Sequence, residues 1–160
     1  MLSITIICVG RLRETHYIAA FEEYEKRLRP YCRFHLTELP EERLPPEPSP
    51  AEIAAGLAKE AQNIQKHIPA GAYTIAMCIE GRELSSEDFS ALLQKCANTG
   101  RSHICFLVGS SFGLDAELKN RCEARLSMSK MTFPHHLARV MLAEQIYRGI
   151  MISEGSKYHK

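Results

Sequence analysis

Four short apolar runs, each bounded by turn-forming residues and separated by stretches with helical spacing, leave this 160-residue chain few ways to fold. The runs are Ser3 to Val9, Phe34 to Leu39, Tyr73 to Ile79 and His103 to Val108, and their length and β-branched content predict buried strands. Residues 15–28 place Tyr17, Ile18, Phe21, Tyr24 and Leu28 three and four apart, which makes one apolar stripe on a helix. Pro40 to Pro50 holds five of the eight prolines and is therefore a surface loop. A helix starts at its end, with Ser49 as N-cap, Pro50 at the first helical position and Glu52 completing a capping box. Ser85 with Asp88 offers a similar start, Gly100 a stop, and a last helical pattern runs from Pro134 to about Ile152. Such alternation predicts an α/β fold: an open, mostly parallel sheet covered by helices on both faces. At 45% hydrophobic residues, residues 1–160 are long enough to bury one core, so one domain is expected.

Composition narrows the function classes. No apolar stretch approaches the ~20 residues of a membrane span, and the amino terminus has no secretory pattern, so a soluble cytoplasmic protein is expected. The six cysteines, Cys8, Cys32, Cys78, Cys96, Cys105 and Cys122, contain no C-x-x-C pair and sit largely in apolar runs, which reads as buried free thiols. His135 and His136 are adjacent rather than four apart and H-E-x-x-H is missing, so no metal site is expected. The net charge of +1 hides a division: residues 1–118 carry 12 Lys and Arg against 16 Asp and Glu, whereas residues 119–160 carry 8 against 3. A basic carboxyl-terminal quarter suits a phosphate-rich partner, although a solvated surface has the same composition.

Three segments have residue types suited to chemistry. Gly109-Ser-Ser-Phe-Gly113 follows the fourth apolar run, where glycines let a backbone approach a ligand at a strand end, or simply turn into a helix. It is neither a dinucleotide fingerprint nor a phosphate-binding P-loop. Leu126 to Pro134 mixes small, polar and apolar residues, and main-chain groups there can hold an adenine edge or belong to an ordinary strand and loop. In the tail, Glu144 and Arg148 share a helix face with Leu137 and Met141, either presenting charge to a site or forming an intrahelical pair worth ~0.5 kcal/mol. Tyr158, His159 and Lys160 combine an aromatic ring, an imidazole and an ammonium, which suits base stacking and phosphate contact.

Together these residues resemble the ribosomal RNA large subunit methyltransferase H family of the SPOUT superfamily, over essentially the whole chain. The resemblance rests on Val9-Gly10-Arg11-Leu12, Glu23 to Leu28 with Pro30-Tyr31, Gly81, Gly109 and Gly113, Ser127 to His135, Glu144-Gln145-Ile-Tyr147-Arg148 and Tyr158-His159-Lys160. It implies a deep carboxyl-terminal trefoil knot, which no alternation of elements shows, and a homodimer. It further implies S-adenosyl-L-methionine as cofactor, held by Met77, Gly109, Met128, Ser129, Lys130, Met131, Thr132 and Phe133. The implied reaction is methylation of N3 of a pseudouridine in 23S rRNA within the assembled ribosome, which the near-neutral overall charge suits. Residue type and family match assign His159, Tyr158, Arg148 and Glu144 to catalysis, with Arg139 and Lys160 on the RNA. The family has glycine where this chain has Ser110 and alanine where it has Gly149. A catalytically silent RNA-binding dimer and a methyltransferase acting on another RNA such as tRNA are the competing readings.

Overall fold

The computed structural model describes residues 1–160, in the order β1 (Ser3–Val9), α1 (Thr15–Leu28), β2 (Arg33–Leu39), α2 (Pro50–His67), β3 (Tyr73–Glu83), α3 (Ser86–Asn98), β4 (His103–Val108), α4 (Ala116–Arg121), β5 (Ala124–Ser127) and α5 (His135–Ser153). All five strands pair in parallel in one sheet, ordered β2-β1-β4-β3-β5. The expected α/β sheet with helices on both faces is what forms. In β1, Ile4, Ile6 and Cys8 point to one face and Ile7 and Val9 to the other, and none is more than 1% exposed. The first face packs on α1, α3 and α5 through Phe21, Leu93 and Leu142, and the second packs on α2 and α4 through Ile64 and Leu118. Burial on both faces is why these strands read as continuous apolar runs rather than alternating ones.

The local signals hold where they are strongest. Ser49 accepts from the Glu52 amide and Glu52 from the Ser49 amide, both at 3.1 Å, with Pro50 in the first turn of α2. Ser85 likewise caps α3 by accepting from the Asp88 amide at 3.0 Å. The six cysteines are free, four of them buried, and no helix is long and apolar enough to cross a membrane. Two features differ from expectation. β3 does not stop at Ile79 but continues to Glu83, pairing with β5 through a register shift between Met77 and Arg82. The second is the short pair α4 and β5, of six and four residues, which insert between β4 and the Ser127–Pro134 segment.

The end of α5 decides where the tail goes. Gly155 has φ +70°, a left-handed conformation that costs glycine little. It lets the Gly155 amide donate to Ile152 O at 3.1 Å and the Ser156 amide to Met151 O at 3.0 Å, the two bonds of a Schellman termination. The last residues therefore fold back along the helix instead of continuing its axis.

Candidate active site

A cleft of about 270 Å³ opens beside the carboxyl end of β5, between the extension of β3, the start of α3 and the middle of α5. Its walls are Met77, Leu84, Phe89, Leu126, Met128, Met141 and Leu142, with Ser86, Ser127 and Gln145 as polar groups and Arg82 as the one charged residue. Beyond it, the main chain from Met128 to Phe133 forms no hydrogen bond with other main-chain groups. Ser127 and Ser129 hold this loop locally: Ser127 Oγ accepts from the Ser129 amide at 3.2 Å, and Ser129 Oγ from the Met131 amide at 2.9 Å. The amides of Met128, Lys130, Thr132 and Phe133 keep their donors free, which is unusual for backbone beside a cleft unless a ligand or solvent takes them.

The eight sequence-predicted cofactor residues thus separate. Met77 and Met128 line the cleft itself. Ser129 to Phe133 continue from its edge, with Met131 73% exposed. Gly109 does not line it; it closes the turn after β4, packed so tightly on the Gly113 carbonyl that any Cβ there would overlap it. Ser110, which replaces the family's glycine, is 5% exposed, has an ordinary negative φ and accepts the Gly113 amide at 2.8 Å, so a serine fits the turn without strain.

On the other side of α5, the tail brings the four catalytic candidates together. Arg148 donates through Nε and Nη2 to Glu144 Oε1 at 2.9 and 2.6 Å, and the Tyr158 hydroxyl donates to the same oxygen at 3.1 Å. The guanidinium also lies 4.8 Å from the centre of the Tyr158 ring, and Tyr147 meets that ring edge-on at 4.9 Å. Partial burial, together with the Glu144 charge, pushes the Tyr158 phenol up to about 12, so at neutral pH it is a donor and not a base. Arg148 Nη1 stands 3.1 Å from His159 Nδ1, and His159 Nε2 stands 2.8 Å from Glu87 Oε1. A guanidinium only donates, so Nδ1 must accept and the ring proton sits on Nε2, facing Glu87. That hydrogen bond holds the Glu87 carboxyl below its ordinary range. The lone pair of His159 is therefore engaged, and the imidazole acts here as a brace for Arg148.

Two RNA-contact candidates diverge. Lys160 is exposed at the chain end. Arg139 is not available to RNA: at 1% exposure it donates to Glu38 Oε2 at 2.6 Å and to Gly10 O at 3.0 Å, joining α5 to the β1 and β2 ends. An arginine in a basic segment reads as surface charge until its burial is known. Sequence reasoning also missed Arg82, Ser86 and Glu87. The last two look like ordinary first-turn residues of a capped helix, where small and acidic side chains are common for reasons of capping and dipole alone. No group of His, Cys, Asp and Glu side chains is placed to hold a metal.

The parallel α/β fold is shared with two solved structures. The probable methylase family protein from Haemophilus influenzae superposes with TM-score 0.55 at 14% identity, covering 98% of this chain and 70% of that one. The tRNA (m1G37) methyltransferase from Aquifex aeolicus gives 0.50 at 12%, covering 91% and 69%, and at such identities the likeness is one of fold. The family described as predicted SPOUT methyltransferase matches residues 2–159, so the class is that of the SPOUT methyltransferases. Ribosomal RNA large subunit methyltransferase H of Moorella thermoacetica is 42% identical over 160 residues, 100% of both chains. The protein of the same name from Clostridium kluyveri is 43% identical over 159 residues, 99% of this chain and 100% of its own. The chain belongs to the ribosomal RNA large subunit methyltransferase H family within that class.

Proposed function

We propose that this protein methylates N3 of a pseudouridine in 23S rRNA, taking the methyl group from S-adenosyl-L-methionine and acting on the assembled ribosome. The observation that carries the reading is the adjacency of two dissimilar surfaces on α5: an apolar cleft edged by free main-chain amides, and a charged tail cluster. The cleft fits a nucleoside cofactor, because methionine and phenylalanine side chains offer flat apolar contact while unpaired amides and carbonyls match the edge of an adenine. Arg82 is the cation available to the cofactor's carboxylate. Bound there, the cofactor supplies an electrophilic methyl on a sulfonium.

The acceptor begins as an imide N–H. For N3 to take the methyl group, its proton would have to leave. The protein's task is to hold the base in line and to stabilise negative charge developing on the imide. Arg148 suits the second part, as a guanidinium 26% exposed and still able to donate outward. Tyr158 suits the first, as a phenol kept neutral with its ring backed by Arg148. Glu144 holds both, His159 braces Arg148, and Lys160 reaches phosphate. With His159 Nδ1 taken by Arg148 and both Glu144 oxygens engaged by Arg148, Tyr158 and Gln145, proton removal falls to solvent.

In this reading the carboxyl-terminal segment forms the deep trefoil knot, and the chain acts as a cytoplasmic homodimer with one 1–160 domain per subunit. The exposed apolar side chains Ile79, within β3, and Phe112 and Met131, in the segments after β4 and β5, support a second copy. Incubation with methyl-labelled S-adenosyl-L-methionine and three acceptors, namely ribosomes lacking the modification, free 23S rRNA and tRNA, tests the proposal. Label in ribosomes well above the other two is expected; label in tRNA, or in none, contradicts it.

A further inference from the structure

The cleft and the tail cluster are joined by side chains that neither site explains alone. Ser86, the first residue of α3, lines the cleft, and its hydroxyl donates to Gln145 Oε1 at 2.7 Å. Gln145, which also lines the cleft, donates through Nε2 to Glu144 Oε2 at 2.8 Å. The direction is forced: a carboxylate only accepts, so the amide nitrogen must face Glu144 and the amide oxygen must face Ser86. Glu144 passes the constraint to Arg148 and Tyr158 through Oε1, Arg148 passes it to His159, and His159 ends on Glu87. Glu87 is the next residue after Ser86. The bonds therefore close a ring that leaves and re-enters the protein through one turn of α3.

We infer that Gln145 is a positioning residue: it carries the placement of the first turn of α3 to Glu144, and so sets where Tyr158 and Arg148 stand relative to the cleft. The inference rests on the proposal that these two groups meet the RNA base. Without the amide, Glu144 Oε2 loses its donor, the carboxylate can rotate, and the two groups bonded to Oε1 move with it. Because Ser86 and Gln145 are also cleft walls, a ligand pressing on them acts on the tail through the same bonds. A plain ion pair between Glu144 and Arg148 would need neither residue.

The test compares the wild-type chain with Gln145→Met, Ser86→Ala and Gln145→Glu. Without any ligand, amide hydrogen exchange over residues 156–160 is expected to speed by about tenfold in Gln145→Met and Ser86→Ala, with the β1 and β4 amides unchanged as the check on folding. With S-adenosyl-L-methionine and ribosomes, kcat falls further than cofactor affinity does. Gln145→Glu supplies the readout that general loosening would not give. Its carboxyl group would stand against Glu144 and share the cleft with Arg82, with Arg148 and Tyr158 one bond further on through Glu144, and His159 and Glu87 beyond Arg148; once protonated it again donates to Glu144. Two adjacent carboxylates share a proton, so the exchange defect is expected to shrink as pH falls toward about 5 and to grow above about 7. Wild-type tail exchange in Gln145→Met, or a defect in Gln145→Glu that does not change with pH, overturns the inference. Loss of methylation by the wild-type chain would remove the proposed function instead, and the ligand-free exchange would still decide this point.

Discussion

The two ends of α5 use the same residue types for opposite purposes. At the amino end, Arg139 is sealed at 1% exposure against Glu38 and the Gly10 carbonyl, and His136 lies 2.8 Å from Glu14 Oε2. At the carboxyl end, Arg148 pairs with Glu144 with side-chain exposures of 26% and 18%, and the groups around them are held but not enclosed. A buried guanidinium held by a carboxylate and a main-chain carbonyl fixes one element to another; a guanidinium left partly exposed keeps donors turned outward. Charge in α5 therefore serves the fold at one end and, in the proposed function, the site at the other.

The largest effect expected is on activity, from Arg148→Ala. Removing a donor aimed at developing charge lowers kcat by about a hundredfold, while loss of the half-exposed pair changes stability by about 1 kcal/mol or less. Single-turnover methylation with a parallel urea unfolding curve checks this, and equal losses in both would erase the distinction between the ends. Arg139→Ala inverts the pattern. It takes the guanidinium from the Gly10 carbonyl and from Glu38, which keeps the Leu12 amide and is 30% exposed, and costs about 2 kcal/mol of folding stability, with activity per folded molecule nearly kept. Circular dichroism melts and activity normalised to folded fraction measure the two quantities.

The amino-terminal end of this comparison shows what a sequence can and cannot reveal. β1, β2 and β4 were legible as apolar runs, α1 as an apolar stripe, α2 and α3 from their caps and α5 as a helical pattern, because those signals are local. The extension of β3 past Ile79 was not, since Glu80 to Glu83 are polar and are held as strand in part by pairing with β5. β5 itself is only Ala-Arg-Leu-Ser, too short for periodicity. Met77 and Met128, expected from family likeness, line the cleft, and Glu144, Arg148, Tyr158 and His159, expected from residue type and family likeness, stand together at the tail. Gln145 stood in the block that carries the family likeness but with no role, and Ser86 had no signal, because their meaning lies in a contact between residues 59 apart in the chain. Arg139 was misplaced for the converse reason: only the fold shows that Glu38, 101 positions away, covers it.

Smaller effects sharpen the comparison at the tail. The phenol of Tyr158 is raised above its ordinary 10 to about 12, so its protonated form is favoured in the folded chain. The stability this gives is complete below pH 10, and it is lost as pH rises from there through about 12. Absorbance titration of the phenolates should show one late-ionising group fewer in Tyr158→Phe than in the wild-type chain, with Tyr73, also raised by burial, remaining in both. Smallest of all is Gly149→Ala. Alanine gains about 1 kcal/mol of helix propensity, and its Cβ would meet Leu93 Cδ1 at 3.0 Å, a flexible methyl able to give way. Urea unfolding should therefore show a gain of under about 1 kcal/mol, with the 2.6 Å bond from Ser90 Oγ to Gly149 O retained.

The central claim, that the tail cluster presents a ribosomal pseudouridine to a methyl donor in the cleft, is tested most directly by mapping the product. Ribosomes from cells lacking the modification are incubated with the protein and S-adenosyl-L-methionine, and the 23S rRNA is digested and sequenced by mass spectrometry. The account predicts one added methyl, on N3 of a single pseudouridine in a hairpin loop. A methyl on any other nucleotide, or an unmodified 23S rRNA from protein that binds the cofactor, would contradict it.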